Sequence, residues 1–233
     1  MMKSVFITGA AQGLGKSLAA YFSKAGYYVY AGCHSKAAEL PGPGEIRFGD
    51  ISKEDDVKKL FEGISHLDVL INNARFCPSG RLPDIPNGEW FDRNLSVSLK
   101  GTYLCTIEAF RIMKQQGTGG SIINISSIRA HIPNDFDRIP YGAAKAGQLS
   151  LTTSFAELGG KHNIRVNALL PGAVATENLM KRISSERMAE LKKTIPLGRP
   201  GEPDEFCHAA IFLAENTYTT GAFLNCSGGN YYD

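Results

Sequence analysis

The 233-residue sequence has no apolar run approaching the roughly 18 residues needed to cross a bilayer. Its start, MMKSVFITG, has an apolar run too short for the core of a signal peptide. It also lacks any block of basic residues; with a formal net charge of +2, it does not read as a nucleic-acid or membrane-surface binder. The five cysteines (33, 77, 105, 207 and 226) include no C-x-x-C pair, which argues against a disulfide framework and for a reducing compartment. The five histidines are scattered without an H-x-x-x-H or a Cys/His cluster, so no metal site is expected. These absences leave an expected cytoplasmic protein that acts on a small molecule and needs neither metal nor disulfide. At this length one domain buries roughly 70–75% of the surface of its unfolded chain.

What is present is an alternation of short β-branched runs with longer helical patterns. Strands are expected at 3–8, 28–32, 46–48, 67–71, 121–126, 164–169 and 223–226, and helices at 14–25, 53–63, 89–116, 141–160, 177–193 and 203–214. Runs such as VLI and IINI carry little polar alternation, as strands covered on both faces do. The pattern predicts an α/β fold, a doubly wound parallel sheet of about seven strands in a single domain (residues 1–233). Within the long helix, Leu95, Leu99 and Tyr103 recur every four residues and predict a core-facing stripe.

After the first strand comes TGAAQGLG, with Gly9, Gly13 and Gly15 at the threshold of a helix. Glycines permit a sharp turn and close approach of an anion, and the helix start offers free N–H groups and a positive dipole end. A tight loop is the plain alternative; the position inside a βαβ unit favours a dinucleotide site. Asp50 and Ile51 follow the third expected strand, and Asn72, Asn73 and Ala74 follow the fourth, at the strand ends where open α/β sheets bind ligands. Helix capping by Asp50 and loop satisfaction by the asparagines are the alternatives.

Ser127 directly follows the expected strand SIINIS (121–126), and fourteen residues later comes YGAAKAG, with Tyr141 and Lys145 one helical turn apart on one face. A tyrosine hydroxyl titrates near about 10, and a neighbouring ammonium lowers that value by favouring the phenolate. Such a tyrosine can pass a proton to or from a carbonyl or alcohol oxygen that Ser127 holds by a hydrogen bond.

With T-G-x-x-x-G-x-G at 8–15, N-N-A at 72–74, Ser127, Y-x-x-x-K at 141–145 and P-G at 171–172, in that order, the whole chain resembles the short-chain dehydrogenase/reductase family. The resemblance implies hydride transfer between a nicotinamide cofactor and a carbonyl or alcohol substrate, with Tyr141 as general acid/base and Ser127 polarising the substrate oxygen. Lys145 would tune Tyr141 and bind the nicotinamide ribose. Gly9, Gln12, Gly13, Leu14 and Gly15 would line the turn around the cofactor, Asp50, Ile51, Asn73 and Ala74 would flank it, and Pro171, Gly172 and Thr176 would seat the nicotinamide amide. The segment around 175–195 resembles the family's mobile substrate lid. A homotetramer or homodimer built on the helices at 89–116 and 141–160 is implied. The stretch IPLGRPGEP is similar to that of β-ketoacyl-acyl-carrier-protein reductases. The polar segment between Ser127 and Tyr141, with His131, Asp135, Asp137 and Arg138, suggests a substrate with polar groups or a solvated loop.

Departures from the family pattern narrow these expectations. Cys33 stands at the end of the second strand, where the family usually has the acid that binds NAD, and His34, Ser35 and Lys36 follow. NADP(H) is therefore expected over NAD(H), although Gln12 occupies a turn position that is often basic in NADP-preferring relatives. Arg75 replaces the glycine of N-N-A-G, either shifting the loop, reaching a ligand or pointing to solvent. Ser227-Gly228-Gly229 replaces D-G-G, a change expected to be settled by local hydrogen bonding. Ser98 stands where the family carries a fourth catalytic residue, an asparagine whose main-chain carbonyl holds a water linking the lysine to solvent. Ser98 is expected to bend the helix by bonding the Asn94 carbonyl, preserving the proton relay in weaker form. Arg75 and Ser98 also motivate the alternative of a nucleotide-binding regulator that has lost turnover.

Overall fold

The computed structural model describes residues 2–76, 82 and 84–232; Cys77 lies outside them. Strands β1 (Ser4–Thr8), β2 (Tyr28–Cys33), β3 (Gly44–Phe48), β4 (Val69–Asn72), β5 (Gly120–Ile125), β6 (Ile164–Pro171) and β7 (Phe223–Cys226) form one sheet in the order β3-β2-β1-β4-β5-β6-β7. Every neighbouring pair is parallel. The helices are α1 (Gly13–Lys24), α2 (Glu54–Phe61), α3 (Asn87–Leu95), α4 (Gly101–Gln116), α5 (Ile139–Gly160), α6 (Glu177–Met180), α7 (Ser185–Thr194) and α8 (Pro203–Glu215).

The doubly wound arrangement follows from strands that are apolar on both faces. Val5, Ile7, Val69, Ile71, Ile123 and Ile125 meet Leu18 and Phe22 of α1 and Phe206, Ala210 and Leu213 of α8. The intervening Phe6, Leu70 and Ile122 meet Leu60 and Phe61 of α2, Ala109 and Met113 of α4, and Phe155 of α5. Alternation of side chains along each strand divides the core in this way. The β1–β4 boundary, where the strand order reverses direction, opens a crevice at the carboxyl ends of the strands.

Two helices expected from the sequence are each interrupted. The pattern over 89–116 comes out as α3 and α4 joined by a π-helical turn at Ser96–Lys100. This wider turn shifts the helical phase, so the stripe at Leu95, Leu99 and Tyr103 does not hold: the two leucines are half-buried and Tyr103 is 44% exposed. The expected helix 177–193 divides into α6 and α7. Thr176 Oγ1 accepts the Leu179 amide to cap the first, and Ser184 Oγ accepts the Arg187 amide to start the second.

A buried polar layer crosses the sheet beneath the crevice. Asn72 Nδ2 donates to Asn124 Oδ1 at 2.9 Å and to Thr106 Oγ1 of α4 at 3.0 Å. Asn124 Nδ2 donates to Thr152 Oγ1 of α5 at 2.9 Å. Thr152 in turn donates to the Gln148 carbonyl at 2.8 Å. Asn124 and Thr152 are fully buried, so these bonds form without competition from water. Replacing Asn124 with alanine takes one of two partners from the Asn72 amide and from the Thr152 hydroxyl, with no water to replace it; urea unfolding is expected to show a loss of about 1–3 kcal/mol.

Candidate active site

The glycine turn is built by close backbone approach. Gly9 and Gly13 have φ of +68° and +55°, in the left-handed region. A Cβ on Gly15 would lie 2.1 Å from the Gly9 carbonyl oxygen and 2.5 Å from Asn73 Nδ2, so only glycine lets α1 approach the turn so closely. Thr8 Oγ1 accepts the amides of Asn73 and Ala74, each at 3.0 Å, and Asn73 Nδ2 donates to the carbonyls of Thr8 and Gly9 at 2.9 and 3.2 Å. The ends of β1 and β4 are thereby fixed to each other. The sequence reading did not single out the Thr8 hydroxyl as the hub of this joint.

The turn fits the phosphates of a dinucleotide. Gln12 is exposed and makes no side-chain cap, and the first turn of α1 contains no acidic residue. Its free N–H groups and dipole are therefore open to an anion. Only the Thr176 methyl comes within 4 Å of a Cβ built on Gly13, at 3.9 Å. Leu14 is half-buried against the α1 side of the core.

Along the crevice toward β2, the Cys33 side chain is buried and cannot reach an exposed ligand group, whereas His34, Ser35 and Lys36 are exposed. Burial pushes the Cys33 thiol up. Asp50 does not cap α2, whose N-cap is Lys53; its Oδ1 accepts the Ser52 amide and hydroxyl at 3.0 and 2.7 Å. Burial alone would raise the Asp50 carboxyl, but these Ser52 bonds, with His34 and Lys53 nearby, hold it below its ordinary value. The Ile51 side chain is buried against Gly101, leaving its backbone for any ligand contact.

The Ser–Tyr–Lys set lies at the end of β5 and the start of α5. Ser127 is 8% exposed; its Oγ accepts the Arg129 amide at 3.2 Å and faces the Pro171 carbonyl at 3.5 Å. Lys145 is 1% exposed, with Nζ 5.6 Å from the centroid of the Tyr141 ring. The ammonium donates to the Ile125 carbonyl at 2.6 Å and to Gln148 Oε1 at 3.0 Å. The Arg75 guanidinium carbon stands 6.0 Å from the same Tyr141 centroid, so the loop departure at 75 brings a second cation to the tyrosine.

Gln148 was not anticipated, although its spacing from Tyr141 and Lys145 (i, i+4, i+7) places all three on one helical face. Its Nε2 donates to the Ser98 carbonyl and to Thr102 Oγ1, both at 2.7 Å. The fully buried Ser98 hydroxyl does not bond the Asn94 carbonyl as expected; its Oγ accepts the Phe76 amide at 3.3 Å, tying the π turn to the loop after β4. The regular helix is interrupted at this point by the π turn itself. Pro171 ends β6, and Gly172 follows against Ser227, where a Cβ would lie 3.0 Å from Ser227 Cα. Ser227 Oγ bonds the Tyr231 amide and carbonyl at 3.3 and 3.4 Å, the local settlement expected for the serine in place of aspartate.

The family model described as enoyl-(acyl carrier protein) reductase matches residues 9–230. The chain belongs to the short-chain dehydrogenases/reductases. Within this family it is 36% identical to an L-rhamnose 1-dehydrogenase (NAD(P)(+)) of Azotobacter vinelandii, over 97% of this chain and 96% of that protein. It is 35% identical to a 3-oxoacyl-[acyl-carrier-protein] reductase of Thermotoga maritima, over 97% of each chain. The crystal structure of an acetoin dehydrogenase from Salmonella typhimurium superposes with a TM-score of 0.83 at 31% identity, covering 98% of this chain and 96% of that one. As a short-chain dehydrogenase/reductase the chain is an NAD(P)-dependent oxidoreductase. No helix among its described residues is long and apolar enough to cross a membrane.

Gly15→Ala tests the cradle. The added methyl collides with the Gly9 carbonyl, and titration of NADPH by fluorescence is expected to show affinity reduced by about tenfold or more.

Proposed function

We propose that Tyr141 is the general acid/base of a reversible alcohol–carbonyl interconversion, with Ser127 holding the substrate oxygen and Lys145 supporting the phenolate. The observation that carries this reading is the buried Lys145 ammonium, 5.6 Å from the Tyr141 ring centroid, with Ser127 at the end of the adjoining strand. When bound, the nicotinamide dinucleotide supplies or accepts the hydride. In the reducing direction Tyr141 Oη gives its proton to the oxygen that becomes the hydroxyl; in the oxidising direction it takes that proton back. A fixed positive charge beside the ring lowers the cost of the phenolate form. The Ser127 hydroxyl orients the same oxygen and stabilises charge developing on it.

The turn at 9–15, the backbone at Ile51 and Ala74, and the segment Pro171–Thr176 would hold the dinucleotide. We infer a preference for NADP(H). With the Cys33 side chain buried, β2 ends in exposed His34, Ser35 and Lys36 rather than in a carboxylate. The acid on the following segment, Glu39, is paired with Lys16 at 2.8 Å, which holds its carboxyl below the usual range.

The residues 175–195 act as a lid in this reading, since α6 and α7 bury none of their residues. A substrate rich in hydroxyl or carbonyl groups fits the exposed His131, Asp135, Asp137 and Arg138 and the Arg75 cation beside Tyr141. The rhamnose-oxidising relative agrees with that class, and the ketoacyl-reducing relative makes a β-ketoacyl thioester the competing substrate. Exposed Tyr103 and Ile107 on α4 and Leu158 on α5 support a homodimer or homotetramer assembled on those helices.

Purified protein assayed against aldoses, hydroxy ketones and a β-ketoacyl thioester is expected to turn over a member of the first two groups. Tyr141→Phe is expected to lower kcat by about two to four orders of magnitude while dinucleotide binding persists; undiminished turnover overturns the assignment. The ratio of kcat/KM values is expected to favour NADPH, and Lys36→Glu to move it toward NADH. A ratio favouring NADH by about tenfold in the unaltered protein refutes the NADP(H) preference.

A further inference from the structure

Lys145 is almost wholly buried, and its Nζ donates to the Ile125 carbonyl at 2.6 Å and to the Gln148 amide oxygen at 3.0 Å. A buried ammonium is costly unless its N–H groups are met by acceptors. Gln148, itself fully buried, supplies one of those acceptors through Oε1 at 3.0 Å. The other end of the same amide donates to the Ser98 carbonyl at 2.7 Å, and the Thr102 hydroxyl donates to that carbonyl at 3.0 Å. A carbonyl oxygen has two lone pairs, and both are taken by protein groups. The Ser98 carbonyl lies within the π turn at Ser96–Lys100, whose hydrogen bonds run i→i+5 in place of the regular i→i+4 ladder.

We propose that Gln148 is a positioning residue that ties Lys145 to the Ser98 carbonyl by a direct side-chain bridge, closing the route by which the lysine would exchange protons with solvent past that carbonyl. The inference rests on the proposed roles of Tyr141 and Lys145. A carboxamide orients an ammonium well, but it does not titrate near neutral pH and does not pass a proton onward as water does. Protons for Tyr141 are then exchanged from the cleft, and the Ser98 position serves geometry rather than proton transfer. Among the ionisable groups near Lys145 are Tyr141 on its own helix and, across the Tyr141 ring, Arg75 on the loop after β4.

Two variants separate bridge from packing. Gln148→Leu fills the space but removes the polar contacts to Lys145, the Ser98 carbonyl and Thr102; Gln148→Ala removes them and leaves room for water between Lys145 and the Ser98 carbonyl. Both are compared per molecule of dinucleotide-binding protein, from fluorescence titration, so that any loss of folded protein drops out. For Gln148→Leu, kcat for alcohol oxidation is expected to fall about tenfold, and the midpoint of its acid limb to rise by about one pH unit, because a displaced ammonium supports the phenolate less. Gln148→Ala is expected to recover most of that loss and to show a larger solvent deuterium isotope effect on kcat than the unaltered protein, as water enters the path. A Gln148→Leu profile that coincides with that of the unaltered protein overturns the proposal. So do identical profiles and isotope effects for the two variants, which would reduce Gln148 to packing. If Tyr141→Phe retains turnover, the proposed mechanism fails; if Tyr141→Phe is inactive and Gln148→Leu is unchanged, only the role of Gln148 fails.

Discussion

The arrangement around Tyr141 depends on holding the Lys145 amine inside the protein among hydrogen-bond acceptors. Lys145 lies on α5 with 1% of its surface exposed, so its N–H groups must be met from within. The end of β5 meets one through the Ile125 carbonyl, and Gln148 meets another. Ser126 Oγ donates to the Lys145 main-chain carbonyl at 2.9 Å, fixing the helix against the same strand end that carries Ser127. The serine, the tyrosine and the lysine are thus held in one frame by the demands of a single ammonium group.

The glycine turn is governed by a different constraint, the need for backbones to touch. Gly15 brings α1 against the Gly9 carbonyl, and Asn73 and Thr8 lock the turn to β4. The polar layer Asn72–Asn124–Thr152 then runs from that joint to α5 and ends on the Gln148 carbonyl. The glycine turn and the buried lysine are therefore two ends of one connected scaffold. The crevice is shaped by hydrogen bonds across strands β1, β4 and β5 as much as by apolar packing beneath them.

The sheet was legible in the sequence because apolar strand runs and helical periodicity are local signals; β7 matches its expected span, and the others differ only at their ends. The glycine turn and the Ser–Tyr–Lys set were legible because their order and spacing are themselves local signals in the chain. The π turn was not, since a helix with one extra residue per turn still reads as apolar and periodic. The break at Ser184 was passed over because the capping serine sits inside a run that otherwise favours helix. The direction of a side chain was also beyond local pattern: Cys33 turned inward, and the Ser98 hydroxyl took the Phe76 amide in place of the Asn94 carbonyl. Gln148 has a periodic signal, but the carbonyl it meets lies fifty residues away in the chain.

The π turn has a second consequence, for the identity of the surface that α4 presents. Each helical residue advances the chain by about 100°, so one additional residue in a turn re-indexes everything after it. Cys105, Ala109, Ile112 and Met113 face the sheet, while Tyr103 and Ile107 face outward. Deleting one residue between 96 and 100 would therefore act as a rotation more than a shortening. Outward side chains would swing toward the core, and core side chains toward solvent. Insertions and deletions here are constrained by angle, whereas in a surface loop they would be constrained only by reach.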